Sequence, residues 1–408
     1  MLTVAAFRSI IKLGSLKIID SRGRTHVLGD GSAPSCAIRL GDRWLDHSIA
    51  FNPGLYVGEA FMDGRLTMAE GSLYDFLDLA ARNIANLDGN PWYSLISRTA
   101  KRIGQYNPVG RAKKNVAHHY DLSDQLYDLF LDKDRQYSCA YFLDPRDSIE
   151  AAQENKKRHI ASKLLLNRPR LKVLDIGSGW GGMGLFLANE TGADVTGVTL
   201  SVEQHKVSEE RVASAGLRDR VRFHLRDYRQ EPGRYDRIVS VGMFEHVGPS
   251  HYREFFRKLK DLLEDDGIAL LHSIGRMEPP GGMNPWIRKY IFPGGYTPAL
   301  SEVFESVQNA GLWVTDLEIL RLHYAETLRA WRERFEANRD KIRALYDERF
   351  CRMWEFYLVG CELSFRHMNQ MVFQMQITRQ QRAVPTTRDY MFEWEQTARQ
   401  APPRRAAE

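Results

Sequence analysis

A glycine-rich turn at residues 175–182 is the strongest chemical signal in the sequence, in the order Asp-Ile-Gly-Ser-Gly-Trp-Gly-Gly. An apolar run at 172–176 ends at this turn, and a helix-like segment follows it. Glycines let a ligand approach the backbone closely, and the N-terminus of a helix favours a negatively charged group. A dinucleotide would also need an acidic residue after the next strand, but that strand ends in Thr199, Leu200 and Ser201. The turn therefore indicates a cofactor site that is not built for a dinucleotide.

Further residues capable of acid–base or ligand chemistry are spread along the rest of the chain. Asp227 and Glu245 each follow a later apolar run, and His272 lies towards the end of another. Cys139 and Tyr324 are additional candidates. Each has an ordinary structural explanation when taken alone, since a lone cysteine is usually an inert buried side chain. The acidic residues after later strands nevertheless strengthen the hypothesis of a cofactor site at the glycine turn.

The elements expected to position these residues alternate between strand and helix. Strand-like apolar runs occur at 172–176, 193–199, 221–225, 237–241 and 268–274, and a helix at 301–309 precedes another candidate strand at 314–320. Helix-like segments separate the earlier runs. This alternation predicts an α/β fold with a doubly wound, mostly parallel sheet.

The first 96 residues differ from this pattern and predict a small mixed α/β domain. Short strands are predicted at 16–20, 25–28 and 36–40, the first two forming a hairpin around a Ser-Arg-Gly turn. A helix is expected from Leu73, with Ser72 as its N-cap, because apolar residues recur there at helical spacing.

Residues 97–115 predict a basic linker between this domain and a catalytic domain at 116–397. The linker contains Lys and Arg but no acidic residue, and Gly and Pro interrupt any helix. A solvated linker is the preferred interpretation, and a basic surface facing lipid phosphates is the alternative. Residues 398–408 are expected to form a disordered tail. The Pro- and Gly-rich segment 277–298, which also carries large apolar side chains, is expected to lack regular structure and to form a lid.

Composition excludes several classes of protein. The chain has 408 residues, of which 43% are hydrophobic and 27% charged, as in ordinary globular proteins. No window approaches 18 uncharged apolar residues, so no membrane span is predicted. The four cysteines show no C-x-x-C pairing, and we expect neither a metal site nor a disulfide framework. The net charge of +5 is well short of a dedicated nucleic-acid binder, and we expect a cytoplasmic protein.

Several motifs together resemble the cyclopropane fatty acid synthase family, which has a Rossmann-like S-adenosylmethionine-dependent methyltransferase fold. The turn at 175–182 has the D-x-G-x-G form of these methyltransferases. The other motifs are YSCAYF at 137–142, TLS with Gln204 at 199–204, FEHVG at 244–248, HSIG at 272–275, FPGG at 292–295, HYAETL at 323–328 and GEAFMDG at 58–64. The missing ribose carboxylate departs from the general methyltransferase pattern and points to this family. The resemblance covers nearly the whole chain except the tail.

The resemblance implies S-adenosylmethionine as cofactor and membrane phospholipids with unsaturated acyl chains as substrates. The residues implied to bind the cofactor are Tyr137, Ser138, Asp175, Gly177, Gly179, Gly181, Thr199, Leu200, Gln204, Asp227 and Tyr228. For Thr199 and Gln204, a helix cap and a surface amide are equally good explanations.

The implied reaction converts a cis double bond into a cyclopropane ring. Attack of the alkene on the sulfonium methyl group leaves a carbocation on the acyl chain, and loss of a proton from the new methyl group closes the ring. Aromatic faces and the exclusion of water favour such a cation. A weak base must also lie against the methyl group.

The family is thought to use a bicarbonate ion as that base. The matching residues are Cys139, Glu245, His272, Ile274 (through its backbone) and Tyr324. Because two desolvated like charges repel, either the anion or the carboxylate carries a proton, or His272 is cationic. Cys361 matches a cysteine once proposed as a nucleophile. Methyl transfer to an alkene needs no covalent enzyme intermediate, so we favour a structural role for Cys361.

Two other functions are considered. A related methyltransferase would leave a methyl branch or methylate a small amine, as plant alkaloid N-methyltransferases of this fold do. The complete bicarbonate set and the N-terminal domain argue against it. A non-catalytic lipid- or nucleic-acid-binding protein is opposed by the presence of Glu245, His272 and Tyr324. We expect no nucleic-acid partner, a homodimer, and peripheral association with the inner face of the membrane.

Overall fold

The computed structural model describes residues 1–84 and 123–400. The first range forms a small unit in which four helices accompany a four-stranded sheet of order β2-β1-β3-β4. Its elements are α1 (Leu2–Ile10), β1 (Ser15–Ile19), β2 (Thr25–Gly29), β3 (Ser35–Leu40), α2 (Trp44–Phe51), α3 (Pro53–Met62), β4 (Leu66–Glu70) and α4 (Leu73–Arg82). The predicted hairpin is confirmed as the antiparallel pair β1–β2. Ser72 caps α4 as predicted, because its Oγ accepts from the Asp75 N–H while the Asp75 carboxylate accepts from the Ser72 N–H.

The second range contains a seven-stranded sheet of order β10-β11-β9-β8-β5-β6-β7. Its strands are β5 (Lys172–Ile176), β6 (Asp194–Thr199), β7 (Val221–Leu225), β8 (Tyr235–Val241), β9 (Leu263–Arg276), β10 (Trp313–Ile319) and β11 (Gln370–Thr378). The five strands from β9 to β7 are parallel, whereas β11 runs antiparallel to both β9 and β10. The predicted doubly wound, mostly parallel sheet is confirmed.

Helices cover both faces of this sheet. They are α5 (Asp124–Phe130), α6 (Ile149–Lys163), α7 (Gly182–Thr191), α8 (Val202–Ser214), α9 (Tyr252–Leu262), α10 (Pro285–Tyr290), α11 (Leu300–Asn309), α12 (His323–Ala337), α13 (Arg339–Leu345), α14 (Glu348–His367) and α15 (Asp389–Gln400). Val173 and Leu174, which are neighbours in β5, belong to different core clusters because successive strand side chains point to opposite faces.

The prediction that segment 277–298 lacks regular structure is wrong. It contains α10, which begins with Pro285 after the N-cap Asn284. The Asn284 side chain accepts hydrogen bonds from the N–H groups of Trp286 (2.9 Å) and Ile287 (3.1 Å), and proline is well suited to the first helical position. The Trp286 indole is fully buried and its Nε1 lies 3.1 Å from the Met62 Sδ, so α10 packs against α3 of the small unit.

A long helix joins the two parts of the chain. α14 contacts both α3 and α4, and its residues Val359 and Leu363 belong to the core cluster of the small unit. Other α14 side chains, including Trp354 and Tyr357, lie in the large aromatic cluster beside the second sheet. The two cores therefore meet at one helix.

Part of the predicted organisation lies outside the described residues. This applies to the basic linker at 97–115 and to residues 401–408 of the expected tail, whose first three residues continue α15. Among the helices of the described ranges, none combines the length and the apolar character that a membrane crossing requires.

Candidate functional site

The glycine turn after β5 leaves a stretch of backbone open to a cleft. Gly177 and Gly179 have φ angles of +82° and +55°, in the left-handed region that glycine adopts readily. A Cβ built on Gly179 would meet no atom within 4 Å, whereas one built on Gly177 would lie 2.8 Å from the Met243 Cβ. Any side chain at 179 would therefore project into the space next to the turn.

Ten of the eleven residues predicted to bind the cofactor line this one cleft. They are Tyr137, Ser138, Asp175, Gly177, Gly179, Thr199, Leu200, Gln204, Asp227 and Tyr228. Gly181 is not among the lining residues, and a Cβ there would lie 2.8 Å from the Phe223 ring and 2.9 Å from the Ser208 Cβ. Gly181 thus serves the packing of α7 against the sheet.

Thr199 and Gln204 act as a pair at the start of α8. Ser201 caps this helix, and the Thr199 Oγ1 accepts from the Ser201 N–H at 3.2 Å. The same Thr199 hydroxyl donates to the Gln204 Oε1 at 3.0 Å. Since its oxygen is already engaged, the Gln204 amide nitrogen, which only donates, is the end left for a ligand in the cleft.

Asp227 is held by a residue that the sequence analysis did not identify. The Asp227 carboxylate accepts from the Arg229 N–H and Nε at 2.9 Å and from the Arg229 Nη2 at 2.6 Å. Arg229 also lines the cleft and lies over the Tyr228 ring, with 5.7 Å from its Cζ to the ring centroid. The Asp227 carboxylate is therefore oriented before any ligand binds.

A second residue missed by the sequence analysis is the fully buried Lys156 of α6. Its Nζ donates to the Ser138 Oγ at 2.9 Å and to the Gln136 Oε1 at 2.6 Å. Burial lowers the Lys156 pKa to about 8. The nearby Asp175 is 2% exposed, and its Oδ2 has no hydrogen-bond partner within the described residues. Burial raises the Asp175 pKa to about 7, against the opposing effect of Lys156.

Glu245 and Ile274, both predicted as catalytic, are in direct contact. Glu245 follows β8 in a short 3-10 turn, and its Oε1 accepts a 2.7 Å hydrogen bond from the Ile274 N–H. The residue as a whole is half-buried, but its Oε2 is sealed from solvent and has no partner within the described residues. Burial raises the Glu245 pKa to about 7, so about half of the carboxyl groups hold a proton at neutral pH, and an anion bound beside the group favours the protonated form further.

His272 lies on β9 and is 2% exposed. Burial, together with the positive charges of Lys156 and Lys163, lowers its pKa well below the usual value. The imidazole is therefore neutral. Of the ways to accommodate an anion here, a protonated carboxyl group at Glu245 fits the structure, and a cationic His272 does not.

Cys139 and Tyr324 lie in the same apolar cluster, against which Ile274 also packs. Cys139 is 1% exposed, its Sγ donates to the Ala140 carbonyl at 3.3 Å, and burial raises its thiol pKa. The Tyr324 ring packs against Phe365 at a centroid distance of 4.8 Å. A thiol and a phenol thus belong to the apolar cluster that Ile274, the hydrogen-bond partner of Glu245, packs against.

Cys361, on α14, packs against this cluster from its edge. Burial raises the pKa of its thiol, so the group stays protonated, and a thiol is a poor nucleophile. This agrees with the structural role favoured from the sequence.

Comparison with known proteins identifies the family. The family model described as mycolic acid cyclopropane synthetase matches residues 109–375. The chain belongs to this family. Cyclopropane-fatty-acyl-phospholipid synthase of Escherichia coli K12 is 35% identical over 87% of this chain and 91% of its own length. The chain is thus an S-adenosylmethionine-dependent methyltransferase, as the sequence analysis predicted.

Further proteins with known names show comparable similarity to this chain. Tuberculostearic acid methyltransferase of Mycobacterium tuberculosis is 36% identical over 90% of this chain and 88% of its own. A probable fatty acid methyltransferase of Pseudomonas putida is 43% identical over 61% of this chain, and the match spans 65% of that protein, just under two thirds. Among solved structures, mycolic acid cyclopropane synthase CmaA1 in complex with SAH and CTAB matches with a TM-score of 0.62 and 34% identity. The match covers 67% of this chain and 99% of that chain.

The cleft fits the cofactor that this family uses. The sealed, unpartnered Oδ2 of Asp175 suits a positively charged ligand group, and the open space at Gly179 admits a ligand against the backbone. The amide nitrogen of Gln204 offers a donor of the kind that hydroxyl oxygens accept. Bound S-adenosylmethionine supplies an electrophilic methyl group. Ser138 and Asp175 would hold its amino-acid end, while Gln204 and Asp227 would hold its nucleoside end.

Proposed function

We propose that the protein transfers a methylene group from S-adenosylmethionine to the cis double bond of unsaturated phospholipid acyl chains, forming a cyclopropane ring. Bicarbonate is proposed as the base that removes the methyl proton. The observation that carries this proposal is the Glu245 carboxyl group, which is sealed, raised in pKa and bonded to the Ile274 N–H beside a neutral His272.

Glu245 and His272 are suited to hold an anion. A protonated Glu245 presents a carboxyl O–H rather than a second negative charge, so the repulsion expected between two desolvated anions does not arise. A neutral His272 offers one ring N–H as a further donor. With the proposed contacts from Cys139 and Tyr324, these groups would orient bicarbonate without neutralising it, and its basicity would be retained.

Aromatic side chains beside the cleft suit the second requirement, a carbocation protected from water. Tyr137 lines the cofactor cleft, and its ring packs against Trp331 at a centroid distance of 5.2 Å. The Trp331 ring in turn meets the Tyr324 ring at 5.9 Å. The faces of such rings stabilise a nearby positive charge by cation–π interaction, and their bulk excludes water.

The small unit is proposed to engage lipid, with residues 1–96 as the lipid-engaging domain, 97–115 as a basic linker and 116–397 as the catalytic domain. Supporting this, Phe51 and Trp44 on α2 are 80% and 54% exposed, and Leu2 on the adjoining α1 is 53% exposed. Aromatic and leucine side chains of this kind insert at the boundary between headgroups and acyl chains. We further propose peripheral association with the inner face of the membrane, and a homodimer.

A methyl-branched lipid is the second candidate product. It is favoured by 36% identity, over 90% of this chain, to a protein named tuberculostearic acid methyltransferase, a name that describes methyl transfer and not ring formation. The two products need the same cofactor and differ in the fate of the cation. Loss of a proton from the new methyl group closes a ring, whereas loss of a proton from a neighbouring chain carbon leaves a methyl branch beside a double bond.

Lipid mass spectrometry after expression in a host that lacks such an enzyme tests the proposal. We expect phospholipid acyl chains that are heavier by one CH2 group and carry a ring and no double bond. Glu245→Gln is expected to abolish most of this product, while Cys361→Ser, which alters a thiol outside the proposed anion site, is expected to retain it. A methyl branch in place of the ring would establish the second candidate. Absence of any lipid product, with S-adenosylmethionine still bound, would refute the proposed substrate.

The base is tested in carbonate-depleted buffer. Added bicarbonate is expected to stimulate the wild-type protein and to rescue a partly impaired Cys139→Ser variant. Full activity without bicarbonate would show that the base is a protein side chain. That result would leave the methyltransferase assignment intact, because the cleft does not depend on the anion.

A further inference from the structure

On one face of the large sheet, the side chain of Gln374 lies between His272 of β9 and Lys163 of α6. Gln374 is fully buried on β11, directly opposite His272 on β9 in the strand register. Its Nε2 lies 3.2 Å from the His272 Nδ1, and its Oε1 lies 2.7 Å from the Lys163 Nζ. One amide thus connects a buried ammonium group to the imidazole of the proposed anion site.

The ammonium group decides which way this amide faces. Lysine only donates hydrogen bonds, so the group facing Lys163 must be the amide oxygen. The amide nitrogen, which also only donates, therefore faces His272. Consequently the His272 Nδ1 must accept, and the ring proton must be on Nε2.

Lys163 is itself fixed by ionic partners. Its side chain is 2% exposed and forms an ion pair with the Glu318 carboxylate. The same Glu318 oxygen lies 2.7 Å from the His159 Nε2, and the His159 Nδ1 lies 2.5 Å from the Glu395 Oε1 on α15. Because every member of this series is buried or half-buried and bonded, the network holds the Lys163 ammonium group against the Gln374 amide oxygen.

We propose that Gln374, oriented by Lys163, is a positioning residue that keeps His272 as a neutral imidazole with its proton on Nε2, so that the bicarbonate meets a hydrogen-bond donor. This inference rests on the proposed anion site. It adds the two residues that determine which ring nitrogen of His272 donates a hydrogen bond to the anion. His272 Nε2 has no hydrogen bond to another side chain or backbone group within the described residues, so it is the ring nitrogen left for a ligand.

The charges around His272 favour the same state. Lys156, Lys163 and His159, all on α6, are the charged or titratable groups that act on its imidazole, and each disfavours a second proton on the ring. Burial acts in the same direction.

Gln374→Glu tests the inference because it replaces the donor facing Nδ1 with a carboxylate oxygen. The His272 ring must then place a proton on Nδ1. At low pH the ring can be a cation, with protons on both nitrogens, and Nε2 still donates to the anion. At high pH the ring is neutral with its proton on Nδ1, and the lone pair of Nε2 repels the anion. Relative to wild type at each pH, we expect the KM for bicarbonate to be similar at pH 6.5 and to rise about tenfold or more at pH 8.5.

Gln376→Glu is the matched control. Gln376 is 1% exposed on the same strand and the same face, but its amide bonds to the Lys163 carbonyl, the Tyr390 hydroxyl and the Thr315 hydroxyl instead of His272. Gln376→Glu also buries a carboxylate on this strand, but away from His272. We expect it to lower the free energy of unfolding without a pH-dependent change in the KM for bicarbonate. S-Adenosylmethionine affinity is expected to be unchanged in a folded Gln374→Glu protein.

Nitrogen NMR of ¹⁵N-histidine-labelled protein tests the tautomer without turnover. The His272 signal, identified by its loss in His272→Gln, is expected to show a protonated Nε2 and a bare Nδ1 in the wild type. A proton on Nδ1, or a pH-independent loss of activity in Gln374→Glu, would overturn the inference. Failure of the bicarbonate proposal would instead appear in the wild type, as activity that does not respond to carbonate depletion.

Discussion

The backbone N–H of Ile274 donates a 2.7 Å hydrogen bond to one carboxyl oxygen of Glu245, while the other oxygen is sealed and has no partner within the described residues. This position favours the protonated form of the carboxyl group more than water does, because burial disfavours its negative charge. The protonation state of Glu245 therefore affects both the proposed reaction and the stability of the folded protein.

Glu245→Gln is expected to reduce turnover by about a hundred- to ten-thousand-fold, the usual contribution of general-base catalysis, while leaving cofactor binding intact. Glutamine keeps the shape of the side chain and can still donate an N–H, but an amide is a far weaker acid than a carboxyl group and cannot exchange a proton with the bound anion. Turnover of labelled S-adenosylmethionine and calorimetry of its binding measure the two effects separately. Equal loss of both would show that Glu245 supports the cleft rather than the reaction.

The same substitution should stabilise the apoprotein at high pH. Folding raises the Glu245 pKa from 4.5 to about 7, so the folded state loses stability as pH rises through this window. Glutamine does not titrate, and the variant should be more stable than wild type by on the order of 3 kcal/mol at pH 8 and equal to it at pH 4. Urea unfolding at the two pH values measures the difference. A pH-independent difference would contradict the assigned pKa direction.

Gly179→Val is expected to weaken S-adenosylmethionine binding at least tenfold, about 1.4 kcal/mol, because its side chain would occupy the open space beside the turn. Gly216→Val is the control, since Gly216 also has a positive φ of +65° and open space around it but does not line the cleft. Both variants carry backbone strain, and only the first should lose affinity in calorimetry. Unchanged affinity in a folded Gly179→Val protein would show that the cofactor does not lie against this turn.

Lys156→Met should make cofactor binding depend on pH. Lys156 holds Ser138 and Gln136 and opposes the upward shift of the Asp175 pKa from 3.8 to about 7. Without it the Asp175 pKa rises further, the carboxyl group is protonated at neutral pH, and affinity should fall most at low pH and recover as pH rises. Lys157→Met is the control, because Lys157 pairs with Asp134 and Glu154. Equal affinities for the two variants at all pH values would exclude this role.

Replacing Trp44 and Phe51 with Ser should reduce sedimentation with anionic phospholipid vesicles, since both side chains are exposed on α2. Trp313→Ser, at a position on β10 that is 49% exposed, serves as the control. Replacing Lys101, Arg102, Lys113 and Lys114 with Gln tests the charge of the linker, and raised salt should mimic that change. Vesicle binding that resists the α2 substitutions would place the docking surface elsewhere.

Six of the seven strands of the large sheet and the cleft followed from the sequence because their signals are local, whereas β11 was not predicted. The apolar runs of β5 and β7 and the glycine turn have the predicted bounds, and ten of the predicted cofactor residues line one cleft. Lys156 was missed because it is buried in a polar-looking helix, and Gln374 was missed because no strand was predicted at 370–378. Both side chains bond to residues from distant parts of the chain. α10 was missed because proline and glycine around it suggested a loop, whereas Pro285 begins a helix.

The position of α14 limits how this protein can be recombined with its relatives. Val359 and Leu363 complete the core of residues 1–84, while Trp354 and Tyr357 of the same helix belong to the aromatic cluster next to the proposed anion site. A chimera that takes its first 84 residues from another enzyme would bring a foreign surface against one side of this helix. Residues 359 and 363 must therefore be exchanged together with the grafted segment. Otherwise poor packing against one side of the helix will shift Trp354 and Tyr357 on its other side.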